Sequence, residues 1–346
     1  MAVARIPTKR GAFYMIGEST SPGTYVAPTQ NSDKALRPIA MSIEPRGGYV
    51  DQNDDVSPAV GGSDPIRDAM GWRYNHAYRV PVWPDLTSIA SHPLDDVLNS
   101  TAGALSLLTT PNRVRYTPTN RFVPGVIPLT ISPTHVQLDG NTYTAAGGVS
   151  ALTRIRTEGQ AYLVFEFVSD CQNRTADADN VVATSAGSLT TAAAEYVSES
   201  YVNPKGRTLT LTNVDGSAVI CADSFAIETG MALTDATCGS AGNGFGISGT
   251  SFNGSCILSI SVFQLPELAT SDGRQFWESL YAGEDLGATS IVCGSGASAF
   301  TISTTKAKIM NITPKDINGF AGYDIAIKFL SSTPAALDHL LLTWGA

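Results

Sequence analysis

One strand with two unlike faces, preceded by an oversized loop, constrains this 346-residue sequence more than any other feature. From Trp72 to Trp83, the residues Trp72, Tyr74, His76, Tyr78, Val80 and Val82 fall on one face, and Arg73, Asn75, Ala77 and Arg79 on the other. That period of two is the signature of a strand packed on one side only. A short alternating strand, residues 39–43, precedes it, and residues 44–71 between the two are rich in Gly, Pro and Asp. Connections usually take about 4–6 residues, so a loop this long is either functional or disordered. It carries Tyr49, Val50, Val56, Val60 and Ile66, which a solvated linker does not need. The expectation is an arm that docks on something.

Composition agrees with a sheet-rich, folded chain. Charged residues are 15% of the sequence and hydrophobic ones 43%. Low charge with many small and β-branched residues suits extensive sheet and large buried contacts. No apolar run reaches the length of a membrane helix, and Met1–Arg5 opens no signal-peptide core, so synthesis and folding in the cytoplasm are expected. The net charge of −9 is uneven: residues 1–170 hold 14 Lys+Arg against 15 Asp+Glu, and residues 171–346 hold 8 against 16. That argues against a basic nucleic-acid face, at least in the second half. The five cysteines, Cys171, Cys221, Cys238, Cys256 and Cys293, form no C-x-x-C pair and read as free, buried thiols.

In chain order, residues 1–35 read as a polar N-terminal arm with turn formers between Gly17 and Pro28. Residues 36–170 read as a first domain. It contains the two strands and their loop, a short helix over His92–Asn99 with Pro93 in its first turn, and a strand at Val114–Thr117. A hairpin around Asp139-Gly140 and a buried strand at residues 161–168 complete it. Residues 171–205, rich in Ala, Ser, Thr, Asn and Asp, read as a linker or peripheral insertion. Over residues 206–346 the element order returns: a strand at Ser224–Thr229, a Gly-rich excursion, a strand at Ser255–Phe263, a helix over Asp272–Ala282 and a closing strand at Gly322–Ser331. The offset is roughly 185 residues at first and shrinks later. This order points to a diverged duplication; one large β domain with irregular helices is the alternative.

Catalytic signatures are missing: no G-x-x-x-x-G-K-[ST], H-E-x-x-H or G-x-S-x-G occurs. Gly242–Gly246 lacks the full phosphate-binding fingerprint and reads as a loop. His76, His92, His135 and His339 are scattered, and His76 reads as a core or interface histidine. Asp54-Asp55 fits a solvated loop and Asp95-Asp96 the first turn of a helix. Arg113, Arg115 and Arg121, interleaved with Tyr116 and Phe122, read as a sheet edge facing a neighbour's acids rather than a nucleic-acid site. No cofactor and no enzymatic activity are expected.

The order of these stretches resembles the major tail tube proteins of long, non-contractile-tailed bacteriophages. The likeness is carried by Glu18-Ser19-Thr20 with Gly23-Thr24 and Ala27-Pro28, then by strand, long loop and strand ending in Val80-Pro81-Val82. The short helix, Val114-Arg115-Tyr116-Thr117-Pro118, the Asp139-Gly140 hairpin, the residue 159–169 strand and the ending Leu340-Leu341-Leu342-Thr343-Trp344 follow in order. The resemblance implies a mainly β fold with short flanking helices, a β-sandwich or barrel-like tail tube domain, duplicated and assembling into a β-barrel-lined ring. Rings stack into the virion's tail tube, the conduit for DNA ejection, after assembly in the bacterial cytoplasm. The partners implied are further copies of the chain in homotrimeric or homohexameric rings, tape measure, tail terminator and distal tail proteins, and double-stranded DNA in non-specific passage. Residues 44–71 occupy the position of the loop that reaches the adjacent ring, which makes Tyr49, Asp54, Asp55, Val56 and Arg67 candidate ring-to-ring contacts. Residues 206–346 are then a second tube domain, which favours trimers, or a decoration domain, which favours hexamers. Another self-associating virion protein, a capsid decoration protein or adhesin, is the alternative function. A β-rich hydrolase is the third.

Overall fold

The computed structural model describes residues 11–18, 23–28, 35–36, 38–46, 49–50, 66–67, 73–82, 93–101, 103–109, 112–118, 129–137, 142–158, 162–172, 202, 208–211, 218–220, 224–234, 249–252, 254–262, 280–281, 283, 285–294, 299–333 and 336–345. These residues are mainly β, in antiparallel sheets, with one helix of more than a turn.

In the first half the strands are β1 (Gly11–Gly17), β2 (Ala40–Arg46), β3 (Tyr49–Val50), β4 (Ile66–Arg67) and β5 (Arg73–Pro81), followed by α1 (Pro93–Asn99). Then come β6 (Gly103–Thr109), β7 (Asn112–Pro118), β8 (Ile131–Gln137), β9 (Thr142–Thr144), β10 (Ala146–Glu158) and β11 (Tyr162–Gln172). The second half begins with β12 (Thr208–Leu211), β13 (Ala218–Ile220), β14 (Ser224–Glu228), β15 (Met231–Thr234), β16 (Gly249–Phe252) and β17 (Cys256–Val262). It continues with β18 (Thr289–Cys293), β19 (Phe300–Thr304), β20 (Lys306–Ile317), β21 (Phe320–Leu330) and β22 (Leu341–Trp344).

The main sheet runs β2-β5-β11-β10-β14-β17-β21-β20, with β8 attached to β10 and carrying β1 and β9. Its first four strands and its last four follow the same rule. A strand before a long excursion pairs with the strand after it, and that strand pairs with the second arm of a long hairpin, whose first arm lies outermost. Each excursion contains a two-stranded ribbon, β3 with β4 and β15 with β16. The hairpins β10–β11 and β20–β21 each carry one register shift. The second hairpin turns through Asn318 (φ 54°) and Gly319 (φ 85°), the positive-φ pair that a tight two-residue turn requires. Alternation builds the sheet: in β17 the side chains of Cys256, Leu258, Ile260 and Val262 are buried, and Ser259 between them is exposed.

A second, seven-stranded sheet runs β13-β12-β18-β19-β22-β7-β6. Both sheets contribute to one apolar cluster spanning Phe13 to Trp344. Phe165 on β11 meets Phe300 on β19 and Trp344 on β22 edge-on, with ring centroids 5.9 and 6.2 Å apart. Among the described residues both sheets are open; neither closes on itself as a barrel.

Several expectations are refined. The strand holding Arg113 and Arg115 is not an edge: β7 lies between β22 and β6, with Thr343 opposite Arg115. The lead-in before residue 35 contributes β1, in which Phe13, Tyr14 and Met15 are buried. β11 continues to Gln172, two residues into the stretch expected as a linker, and residues 173–201 lie outside the described residues. Of the helix expected over Asp272–Ala282, Leu280 and Tyr281 are described as helical, with Leu280 packed against the core. Among the described residues no helix is long and apolar enough to cross a membrane.

Candidate assembly interface

One face of the main sheet is buried and the other is polar. Following the pairings from β5 to β21, Arg79, Glu166, Arg154, Glu228, Ser259 and Ala326 lie on the face opposite Tyr78, Phe167, Ile155, Ile227, Leu258 and Ile327. Four of the cations on the polar face are matched to carboxylates. Arg156 Nε lies 2.6 Å from Glu166 Oε1, and Arg79 Nε lies 3.4 Å from the same oxygen. Lys315 Nζ lies 3.0 Å from Asp324, whose carboxylate also accepts the Ser261 hydroxyl at 2.7 Å. Arg154 Nε sits 2.8 Å from Glu228 Oε1, an ion pair by distance without hydrogen-bond alignment. The exposed pairs among them, Arg154–Glu228 and Lys315–Asp324, contribute about 0–1 kcal/mol each. Four cations of this face are thus held by carboxylates, and Lys308 and Lys328 lie on it as well, opposite each other across β20 and β21.

This face holds a groove of about 410 Å³ that crosses β10, β14, β17, β21 and β20, walled by Arg154 and Arg156 on one side and Asn311, Thr313 and Lys315 on the other. The small side chains of Ser224, Ala226 and Ser259 form its floor.

The run of eight strands ends at β2 on one side and β20 on the other, each paired on one side only among the described residues. Ala40, Ser42 and Glu44 are exposed on β2, and Lys308, Met310, Asn311 and Thr313 on β20. Met310 is 53% exposed, high for a large apolar side chain, and it occupies the bulge of β20. Unpaired edges of this length are templates for another strand.

The arm returns on itself. Tyr49 pairs with Arg67 and Val50 with Ile66, which brings two of the five expected ring-to-ring residues opposite each other in a short ribbon. Asp54, Asp55 and Val56 lie outside the described residues.

Glu18, quoted above only as part of a turn-rich stretch, anchors the base of the sheet. It is 5% exposed. One carboxylate oxygen accepts the Ser132 hydroxyl and the Gly147 amide, both at 2.7 Å. The other accepts the Thr130 hydroxyl at 2.6 Å and the Gly23 amide at 2.7 Å. Next to it, α1 is tied to β1 by the Gly17 amide, which donates to Asp96 Oδ2 at 2.8 Å. Burial and the adjacent Asp96 charge push the Asp95 carboxyl up to about 7, against the hydrogen bond donated by Asn99. The acidic pair therefore has a tethering role beyond the helix dipole.

The histidines do not converge. His76 is buried, stacks on Phe13 and lies 3.8 Å from Cys171 Sγ, as a core histidine should. Burial lowers His135, and burial takes His339 to about 4 despite the pull of Asp338; His339 stacks on Phe252 at 3.9 Å. His92 lies outside the described residues. Cys171, Cys256 and Cys293 are buried free thiols, and burial raises both Cys171 and Cys256. Among the described residues no three His, Cys, Asp or Glu side chains group as metal ligands.

The chain matches no protein-family model and no curated protein sequence. The geometry of edges, groove and arm is therefore what bears on function.

Proposed function

We propose that this protein is a structural subunit of a phage tail tube, a duplicated tube domain whose main sheet joins end to end with other copies to line a ring. The observation that carries the proposal is the repeated strand order β2-β5-β11-β10 and β14-β17-β21-β20, with edges left at β2 and β20 among the described residues and a grooved polar face between them. An open sheet with unpaired edges either aggregates or closes, and closure across copies removes the edges.

The number of copies follows from strand geometry. Strands ~4.8 Å apart and tilted ~40° give a backbone radius of about 16 Å for 16 strands, about 24 Å for 24 and about 48 Å for 48. Inward side chains take ~5 Å of that radius, and a DNA duplex has a radius of roughly 10 Å. Two copies of the eight-strand run grip the duplex, six leave it loose, and three pass it with about 9 Å of solvent on every side. The proposed ring is therefore a trimer with sixfold character. Its polar face commits Arg79, Arg154, Arg156 and Lys315 to carboxylates and leaves Lys308 and Lys328 near the β20 edge, while the chain's net charge of −9 repels phosphate, so DNA passes with little to hold it. Stacking of such rings through the arm is a head-to-tail contact that does not close, which yields a filament.

Negative-stain electron microscopy of the concentrated protein tests the proposal. Hollow tubes or stacked threefold rings with a clear bore of roughly 40 Å are expected. Uniform single particles across protein and salt concentrations count against the proposal, and twofold rings refute the copy number.

A further inference from the structure

The chain contains its own template for how two tube domains join. Where the halves meet, β10 pairs with β14 in the register Arg154↔Glu228, Ile155↔Ile227, Arg156↔Ala226. The Thr229 amide donates to the Thr153 carbonyl at 3.1 Å, and Thr153 is the residue skipped by the register shift between Leu152 and Arg154. β20 stands where β10 stands, and its own shift, between Ile309 and Asn311, skips Met310. Aligning the two bulges places Asn311, Ile312 and Thr313 at the positions of Arg154, Ile155 and Arg156.

The pairings across the sheet fix the other edge independently of sequence identity. Leu152 pairs with Phe167, Phe167 with Tyr78, and Tyr78 with Met41. Ile309 pairs with Ile327, Ile327 with Leu258, and Leu258 with Ile227. Both rows begin at the residue before a bulge and cross the sheet through core-facing side chains. Met41 therefore stands where Ile227 stands, Ala40 where Ala226 stands, and Ser42 where Glu228 stands.

We infer that β20 of one copy pairs antiparallel with β2 of a second copy of this chain in the register Asn311↔Ser42, Ile312↔Met41, Thr313↔Ala40. The inference rests on the ring reading and adds to it the residues that meet. The faces agree: Ile312 is buried and Met41 packs on the core, whereas Asn311, Thr313, Ala40 and Ser42 are exposed, small to medium in size and uncharged. A slip of one residue sets Ile312 opposite an exposed polar-face position and breaks the core across the joint. A slip of two keeps the faces but loses the contact at the bulge, where the Ile43 amide takes the Met310 carbonyl as Thr229 takes that of Thr153.

Because Thr229 and Thr153 exchange an amide-to-carbonyl bond, the next pair, Arg154 and Glu228, is of the non-hydrogen-bonded kind. Its counterpart, Asn311 and Ser42, then has Cα atoms ~4.5 Å apart, within disulfide range. The test is oxidation of assembled Ser42→Cys/Asn311→Cys protein, read as covalent dimers and trimers on a non-reducing gel. Each single-cysteine variant serves as the blank for native thiols. Cross-linking roughly tenfold above Glu44→Cys/Asn311→Cys and Ala40→Cys/Asn311→Cys is expected, since those pairs are diagonal. A second pair, Ala40→Cys/Thr313→Cys, joins the same strands at other exposed sites and is expected to cross-link as well. A higher yield from either diagonal pair overturns the register and leaves the ring standing. Rings visible by microscopy that cross-link through none of these pairs overturn the edge pairing. Unmodified protein that forms no rings overturns the ring reading and the register together.

Discussion

Replacing Glu18 by Ala removes the acceptor for four buried or part-buried donors at once. The Thr130 and Ser132 hydroxyls can rotate towards other acceptors. The Gly23 and Gly147 amides are fixed by backbone geometry, both at positive φ (83° and 63°), and cannot. Stranding a buried donor costs about 1–3 kcal/mol, and a bond to a charged acceptor is worth about 1.5–3. Two stranded amides, with partial recovery by the hydroxyls, place the loss at about 3–5 kcal/mol. For a domain of this size that lowers the melting temperature by roughly 10 °C. Glu18→Gln keeps the shape but turns an amide NH2 towards two of the donors, so roughly half the loss is expected. Thermal unfolding followed by circular dichroism, at one pH and protein concentration, measures both. A Glu18→Ala variant within 1–2 °C of the unmodified protein, or a Gln variant as damaged as the Ala variant, refutes the account of Glu18 as a hub.

Two further outcomes follow from the tethered helix and the arm. Asp95 ionises near 7 in the folded chain and at its ordinary value of 3.8 when unfolded. Its contribution is thus fully present below about 3.8 and is lost as pH rises to about 7. Asp95→Asn is expected to match the unmodified protein at pH 4 and to be the more stable at pH 8; parallel stability–pH curves refute the burial of that carboxyl. Deleting residues 48–68 is expected to leave the fold intact and abolish tubes. Arg46 and Arg73 are directly opposed across β2 and β5, so the five residues left between them make an ordinary hairpin loop. Tubes of normal length from the deletion variant, seen by negative stain, refute a docking role for the arm.

Strands buried on one face were legible from sequence because alternation is a local signal: β5, β14 and β17 were readable by their period of two. β1 was not, since Phe13, Tyr14 and Met15 are all buried and a strand covered on both faces loses its alternation. The repeated order of strand, excursion and strand was visible in the sequence. The pairing that gives it meaning, β5 with β11 and β17 with β21, joins residues too far apart for any local pattern. The Arg113–Arg115 strand was misplaced at an edge for the same reason: the strand that covers it, β22, lies more than two hundred residues later. Glu18 reads from sequence only as a polar residue among turn formers, because its four donors come from two distant segments and a nearby turn.

The position of β22 also bears on when a copy becomes complete during synthesis. β22 is the strand that joins β19 to β7, so on a translating ribosome the second sheet stays in two pieces until residues 341–344 have left the exit tunnel. Translation at about 5–20 residues per second gives the first half more than ten seconds in which β6 and β7 have no closing partner. The nascent chain therefore carries an open sheet edge at β7 until β22 pairs with it.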